Sequence, residues 1–320
     1  GKDHMSNDIV LLLIGTAMLY CGGDFLVAGC IRIANNLKIS PFIIGAIVIG
    51  FGTSAPELAV SVFASLKGSS EVALGNVIGS NIANICLVLG LTSIFGPLGV
   101  SERIFKKETP SLLFVTVLIA LLAWDYEVSR IEGGILLGLM ASYLWLAFTR
   151  KNKTLPDDRE VVSGEGVFAK SGMKAQILLV SVGLVVLVLG SHLLVTGAVS
   201  IARSYGISEW LIGITVVAVG TSLPEIVSSL IAANRGYHEM SIGNIYGSNI
   251  FNINLVVGAA STIHPLHVNE AIHFDLAISI CLTLLLTFLI RPKLTLFPVH
   301  GVLLLFCYVS YMVVKLQSIL

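Results

Sequence analysis

Charge is what this chain has least of. Asp, Glu, Lys and Arg make up 12% of 320 residues, against 55% hydrophobic residues and a mean hydropathy of +0.92. That balance excludes a soluble globule and places the chain in a lipid bilayer. The formal net charge is zero, so no basic face for nucleic acid is expected. Five cysteines, Cys21, Cys30, Cys86, Cys281 and Cys307, form an odd set at no ligand spacing, which argues against a disulfide framework or a thiolate metal centre. HExxH, GxSxG and any positioned nucleophile and base are missing too, so neither an enzyme nor a cofactor is expected. Long polar connections are equally scarce: only 151–172, with Asp157, Asp158, Arg159 and Glu160, reads as a solvated tether. Gly1 to His4, ahead of Met5, read as an appended leader.

What remains is apolar, and it divides into spans. A membrane helix needs about 20 mostly apolar residues. Ten stretches qualify: Ile9 to Ile33, Pro41 to Leu66, Val72 to Phe95, Pro110 to Trp124, Ile131 to Thr149, Ala175 to Ala202, Glu209 to Ala233, Met240 to Ile263, Ala271 to Ile290 and Leu296 to Val314. The first is longer than a signal-peptide core and aligns with the sixth, so it counts as a span. The expected fold is all-α and integral to the membrane, with residues 8–150 and 173–320 as five-helix halves and 151–172 as the linker. An odd number of crossings per half means that the halves enter from opposite sides, as inverted repeats. With the N-terminus outside, the inner loops hold 14 basic residues and the outer side five. This bias predicts both termini outside and a cytoplasmic linker, in the cell membrane.

The halves are copies. Gly52-Thr53-Ser54-Ala55-Pro56-Glu57 returns 168 residues later as Gly220-Thr221-Ser222-Leu223-Pro224-Glu225, and Gly79-Ser80-Asn81 returns as Gly247-Ser248-Asn249. Between Ile39 to Gly90 and Ile207 to Gly258, 25 of 52 positions are identical without a gap.

Both copies keep an acid at mid-membrane. An ionised carboxylate there costs roughly 3 kcal/mol or more unless it finds a partner or a water-filled cavity. Lys67 and Arg235 each lie ten residues beyond their glutamate, about 15 Å along a helix, so the counter-charge must come from solution. Thr53, Ser54, Glu57 and Ser61 share one helix face, as do Thr221, Ser222, Glu225 and Ser229. The next helix adds Asn76, Ser80 and Asn84, repeated as Asn244, Ser248 and Asn252. Every one of these donors is an oxygen, the preference of hard cations such as Ca2+ and Na+. Pro56 and Pro224 should break their helices and free the carbonyls of Gly52 and Gly220, tolerable at this depth only where they line a cavity or bind an ion. The glycines at 75, 79, 243 and 247 have the GxxxG spacing of close helix contact. Asp24 is not repeated, since His192 takes its place, and reads as a packing carboxylate; His264, His267 and His273 read as a surface cluster.

These paired GTSxPE and GSNxxN motifs resemble the alpha-repeats of the cation/Ca2+ exchanger superfamily, most closely its prokaryotic sodium/calcium exchangers. The resemblance covers essentially the whole chain. It implies antiport of Na+ against Ca2+ by alternating access, with those two ions and the bilayer as partners and a monomer as the working unit. It implies that Glu57 and Glu225 are the shared carboxylates, assisted by Thr53, Ser54, Thr221, Ser222, Ser80 and Ser248. The carbonyls of Gly50 and Ala218 would serve peripheral sodium sites, and Asn84 and Asn252 would line the centre. Some relatives carry aspartate at position 252, and asparagine in both copies argues against potassium dependence. Two carboxylates give the site a charge of about −2, balanced by one Ca2+ or two Na+. A Ca2+/H+ exchanger of the same superfamily is the alternative, and a cation channel a more distant one.

Overall fold

The computed structural model describes residues 2–149, 172–207, 212, 216 and 218–317, with the side chains of residues 2–6 and 218 excepted. The linker at 151–171 and most of the start of the seventh expected span therefore lie outside the described residues. The described chain is overwhelmingly helical. Helix α1 is Lys2–Leu37, α2 is Pro41–Thr53, α3 is Ala55–Leu66 and α4 is Ser70–Phe95. Then come α5 (Thr109–Leu122), α6 (Arg130–Thr149) and α7 (Met173–Ser204). Helices α8 (Ala218–Thr221), α9 (Leu223–Asn234), α10 (residues 238–263), α11 (Glu270–Ile290) and α12 (Pro298–Gln317) complete the set.

Among the described residues six helices are long and apolar enough to cross a membrane, or seven if the bent pair α2–α3 is one span. The ten expected from hydropathy are thus not all recovered as single rods, for physical reasons. Helix α5 has only 14 residues, α10 is diluted by Asn244, Asn249, Asn252 and Asn254, and α2–α3 bends by 46°.

Two short antiparallel ladders interrupt the all-helical pattern, and both join the two halves. Strand β1 (Leu98–Gly99) pairs with β4 (Thr295–Leu296), and β2 (Glu127–Val128) pairs with β3 (Leu266–His267). Leu98 faces Leu296, and Val128 faces Leu266. Shifting the first pair by 168 residues generates the second, so the ladders obey the internal repeat.

The same symmetry builds the longest helix contact. Gly15, Gly22 and Gly29 on α1 recur as Gly183, Gly190 and Gly197 on α7. A Cβ on Gly22 would stand 2.4 Å from Leu187 N, and one on Gly183 would stand 2.5 Å from Leu26 N. Gly15 likewise abuts Gly190 O and Leu194 N. The glycines thus form one antiparallel seam with backbone against backbone. In lipid, where apolar burial drives little, such close approach supplies the dispersion contact that holds helices together. At one end of this pair Asn36 Nδ2 donates to Gln176 Oε1 at 2.9 Å, and near the other Ser200 Oγ donates to Asp8 Oδ2 at 2.7 Å.

The main core lies between the two copies of the motif-bearing helices. Ile82, Ile85, Ile245, Tyr246 and Ile253 are all at or below 2% exposure there. Gly243 and Gly247 give α10 its close fit to α2, since a Cβ at either would sit 2.3 Å from a carbonyl oxygen, of Phe42 and Ala46 respectively. Gly75 and Gly79 meet no such neighbour among the described residues.

Candidate cation site

Each glutamate sits in the first turn of a half-helix. The chain leaves helical geometry at Ser54 (φ −85°, ψ 0°) and at Ser222 (φ −89°, ψ 0°), so the break falls two residues ahead of each proline. Pro56 and Pro224 then occupy the second helical position, where a missing N–H costs nothing. Glu57 and Glu225 follow at the third, beside the positive end of the helix dipole. Ser-x-x-Glu is also the pattern of a capping box, but neither serine side chain caps its helix. Ser54 Oγ is instead buried with no hydrogen-bond partner among the described residues.

The carbonyl that Pro224 frees is taken by a side chain from the seam. Ser191 Oγ on α7 donates to Gly220 O at 2.8 Å. In the other copy the counterpart of Ser191 is Gly23, which has no hydroxyl to offer Gly52.

Glu57 and Glu225 are both 2% exposed. They lie within electrostatic reach of one another, one from each copy. Thr53 is fully buried, 3.5 Å from both Ser248 Oγ and Asn244 Oδ1. Ser248 Oγ donates to Gly50 O at 3.2 Å. Gly50 must be glycine at this crossing, because a Cβ would meet Asn244 O and Ser248 N at 2.9 Å. Ser222 and Ser80 are buried, whereas Thr221 is more exposed than Thr53. For Ala218 only the backbone is described, at the start of α8.

The asparagines commit their amino groups to protein acceptors. Asn76 Nδ2 donates to Glu57 O at 3.2 Å and Ser61 Oγ at 2.9 Å. Asn244 Nδ2 does the same for Ser229 Oγ at 2.8 Å, Ser228 Oγ at 3.1 Å and Glu225 O at 3.4 Å. Asn84 Nδ2 donates to Asn249 Oδ1, and Asn252 Nδ2 to Asn81 Oδ1, each at 2.9 Å. With its donor consumed by Asn81, the Asn252 side chain has its carbonyl oxygen left over. Glu57 Oε2, Glu225 Oε2, Ser54 Oγ and Asn252 Oδ1 are buried without a partner among the described residues. Buried polar atoms are normally satisfied. Buried oxygens left without hydrogen-bond partners suit a hard cation entering as cargo.

Sequence reasoning placed Asn81 and Asn249 in the motif without a role, and it overlooked Asp275. That acid is buried on α11, with Lys315 Nζ at 2.7 Å and Tyr311 OH at 3.1 Å. Its lysine is 40 residues away, which is why local spacing gave no signal. Asp24 is satisfied by an ion pair with Arg235. The three histidines do not converge: His267 Nδ1 lies 3.4 Å from Glu127, His273 Nε2 lies 2.9 Å from Ala123 O, and His264 Nδ1 lies 2.9 Å from Pro265 O.

Known proteins place this geometry. The sequence profile of the family described as sodium/calcium exchanger protein matches residues 7–149 and again 175–317. The chain is 41% identical over 258 residues to the putative antiporter CaxA of Alkalimonas amylolytica, covering 80% of this chain and 81% of the relative. It is 31% identical to the sodium/calcium exchanger MaX1 of Methanosarcina acetivorans, over 96% of this chain and 98% of the relative. A solved structure of the sodium-calcium exchanger NCX_Mj superposes with a TM-score of 0.83 at 32% identity, across 96% of this chain and 98% of that one. A twice-matched profile, relatives aligned over most of their length and a shared fold agree: this multi-pass membrane protein is a transporter belonging to the sodium/calcium exchanger family.

Proposed function

We propose that the chain exchanges Na+ for Ca2+ by alternating access, with both ions drawn to one midplane site around Glu57 and Glu225. The observation that carries this reading is the set of buried, donorless oxygens on Ser54, Glu57, Glu225 and Asn252. Two carboxylates supply a charge of about −2, which one Ca2+ or two Na+ neutralise, so the two ions compete for the same negative charge. Thr53, Thr221, Ser222, Ser80, Ser248 and Asn84 would add oxygens around that pair, with the carbonyls of Gly50 and Ala218 at its edges. MaX1, aligned over most of its length at 31% identity, and NCX_Mj, which shares the fold, are both named for sodium and calcium.

The architecture we propose for this task is ten spans in two inverted halves, residues 8–150 and 173–320, joined by a cytoplasmic linker at 151–172. The antiparallel seam of α1 and α7, which are equivalent helices of the two halves, supports inversion. The ladders support the span count. With the N-terminus outside, β1 and β4 follow odd-numbered spans and fall on the inner face, while β2 and β3 follow even-numbered ones and fall on the outer face. The excess of basic residues in the inner loops, 14 against five, supports that orientation in the cell membrane. The monomer contains the whole site and is taken as the working unit, with no nucleic-acid partner.

The test is 45Ca2+ uptake into proteoliposomes driven by an outward Na+ gradient. Uphill uptake that collapses when the gradient is removed supports exchange and excludes a channel. Uptake driven by a pH gradient and indifferent to Na+ would replace sodium with protons as the coupling ion. That second reading is favoured by one observation, two buried carboxylates within electrostatic reach of one another, as a pair of proton acceptors would be.

A further inference from the structure

Four asparagines, two from each copy, make a closed lattice where α4 and α10 cross. Asn81 Nδ2 donates to Asn249 O at 3.2 Å, and Asn249 Nδ2 donates to Asn81 O at 3.3 Å. Their remaining oxygens then accept from the other copy: Asn249 Oδ1 from Asn84 and Asn81 Oδ1 from Asn252, both at 2.9 Å. Every bond has a twin under the 168-residue shift, and all four residues are at or below 3% exposure.

We infer that Asn81 and Asn249 are positioning residues, each locking the amide of the opposite copy's Asn252 or Asn84 so that its carbonyl oxygen, and never its NH2, faces the cation. This deepens the exchange reading and rests on it. The two ends of an asparagine amide have nearly the same shape and opposite polarity, so shape alone cannot set which end faces a site. An NH2 turned towards a cation repels it. In the observed lattice the flip is blocked electrostatically, because it would set the Asn252 oxygen against the Asn81 oxygen 2.9 Å away. Asn81 cannot rotate to accommodate that flip, since its own Nδ2 is tied to Asn249 O. The fixed amides stand at a functional position in the helices: Asn84 and Asn252 each open a π-helical turn, Asn84–Val88 and Asn252–Val257. Asn252 Oδ1 is left buried without a donor among the described residues, as an orientation held for a cation requires.

The arrangement makes the influence run across the repeat and in pairs: Asn249 acts through Asn84, and Asn81 through Asn252. The test is 45Ca2+ uptake by proteoliposomes carrying Asn249→Leu, Asn84→Ala and Asn252→Ala, singly and combined, each variant first checked as monodisperse in detergent. Asn249→Leu is expected to raise the KM for Ca2+ about tenfold with a smaller change in Vmax. In the Asn84→Ala background it should add less than about twofold, whereas in the Asn252→Ala background it should keep its full effect. A merely structural asparagine would add the same defect in both backgrounds, and that result would overturn the inference. Where Asn249→Leu does not fold, Asn249→Asp serves. It keeps the acceptor for Asn84 and should leave the KM for Ca2+ no higher than in the unsubstituted protein; a tenfold rise would equally overturn the inference. Because the readout is the KM for Ca2+, a protein coupled to protons instead of Na+ would still report the pairing. Failure of the coupling-ion assignment is thereby separated from failure of the lattice.

Discussion

Ser248 Oγ, from the second copy, donates to the backbone carbonyl of Gly50 in the first, over 3.2 Å. One hydroxyl thus holds the edge of the site we propose between the two halves. The exchange reading places the Gly50 carbonyl at a peripheral sodium site, so removing the hydroxyl that holds it should disturb Na+ more than Ca2+. Ser248→Ala is expected to raise the half-saturating Na+ concentration by roughly tenfold, equivalent to about 1.4 kcal/mol. The KM for Ca2+ should move less. Na+ titration of Ca2+ efflux from proteoliposomes measures both, and an unchanged Na+ dependence would mean that Ser248 holds no sodium ligand in place.

The two glutamates carry the whole formal charge of the proposed site, because Asn84 and Asn252 are neutral. Neither acid is a spare for the other. Glu57→Gln and Glu225→Gln should each reduce gradient-driven 45Ca2+ uptake to background while the protein stays folded. Full transport by either variant would sink the shared-site account.

The seam of α1 and α7 has no room for a methyl group at its glycines. Gly22→Ala would push a Cβ to 2.4 Å from Leu187 N, so backbone has to shift. Overpacking of this kind costs about 1–3 kcal/mol, and the detergent-solubilised protein should show a clearly lower Tm. Gly134→Ala, where no described atom lies within 4 Å of the new Cβ, is the control and should show no loss.

Two ion pairs should differ in weight. The side chains of Asp24 and Arg235 are 34% and 35% exposed, and a pair so open contributes about 0–1 kcal/mol. The Asp275 side chain is 6% exposed, so Lys315→Met strands a carboxylate away from water. Breaking a buried pair from one side costs about 3–5 kcal/mol. Thermal unfolding should therefore show Lys315→Met well below Arg235→Met. The reverse order would mean that Tyr311 alone suffices for Asp275.

The part of the candidate site that could be read from sequence was the part that repeats. Glu57 and Glu225, with the serines and threonines beside them, stood out because the same costly acid recurs after 168 residues in the same oxygen-rich setting. The helix break was legible from Pro56 and Pro224, but its position was not. Proline fits the first turn of the new helix, so the chain breaks at Ser54 and Ser222 instead. Asn81 and Asn249 were visible as letters of a motif whose partners lie 165 to 171 residues away, and no helical periodicity reports a bond across that distance. The π-helical turns that follow Asn84 and Asn252 left no hydropathy signal, since the apolar run continues through them. Asp275 was hidden by the reverse effect: a single acid near the end of an apolar stretch barely alters its average.

The glycine seam also bears on how a duplicated gene can age. Gly22 rests on Gly183, which is the copy of Gly15, and Gly15 rests on Gly190, which is the copy of Gly22. Each half is therefore the other's mould. Ordinary duplicates drift apart because one copy is free to vary while the other keeps the task. Here a larger residue in either copy collides with the backbone of its sibling, so the two halves of this chain are bound to a common history along the whole length of α1 and α7.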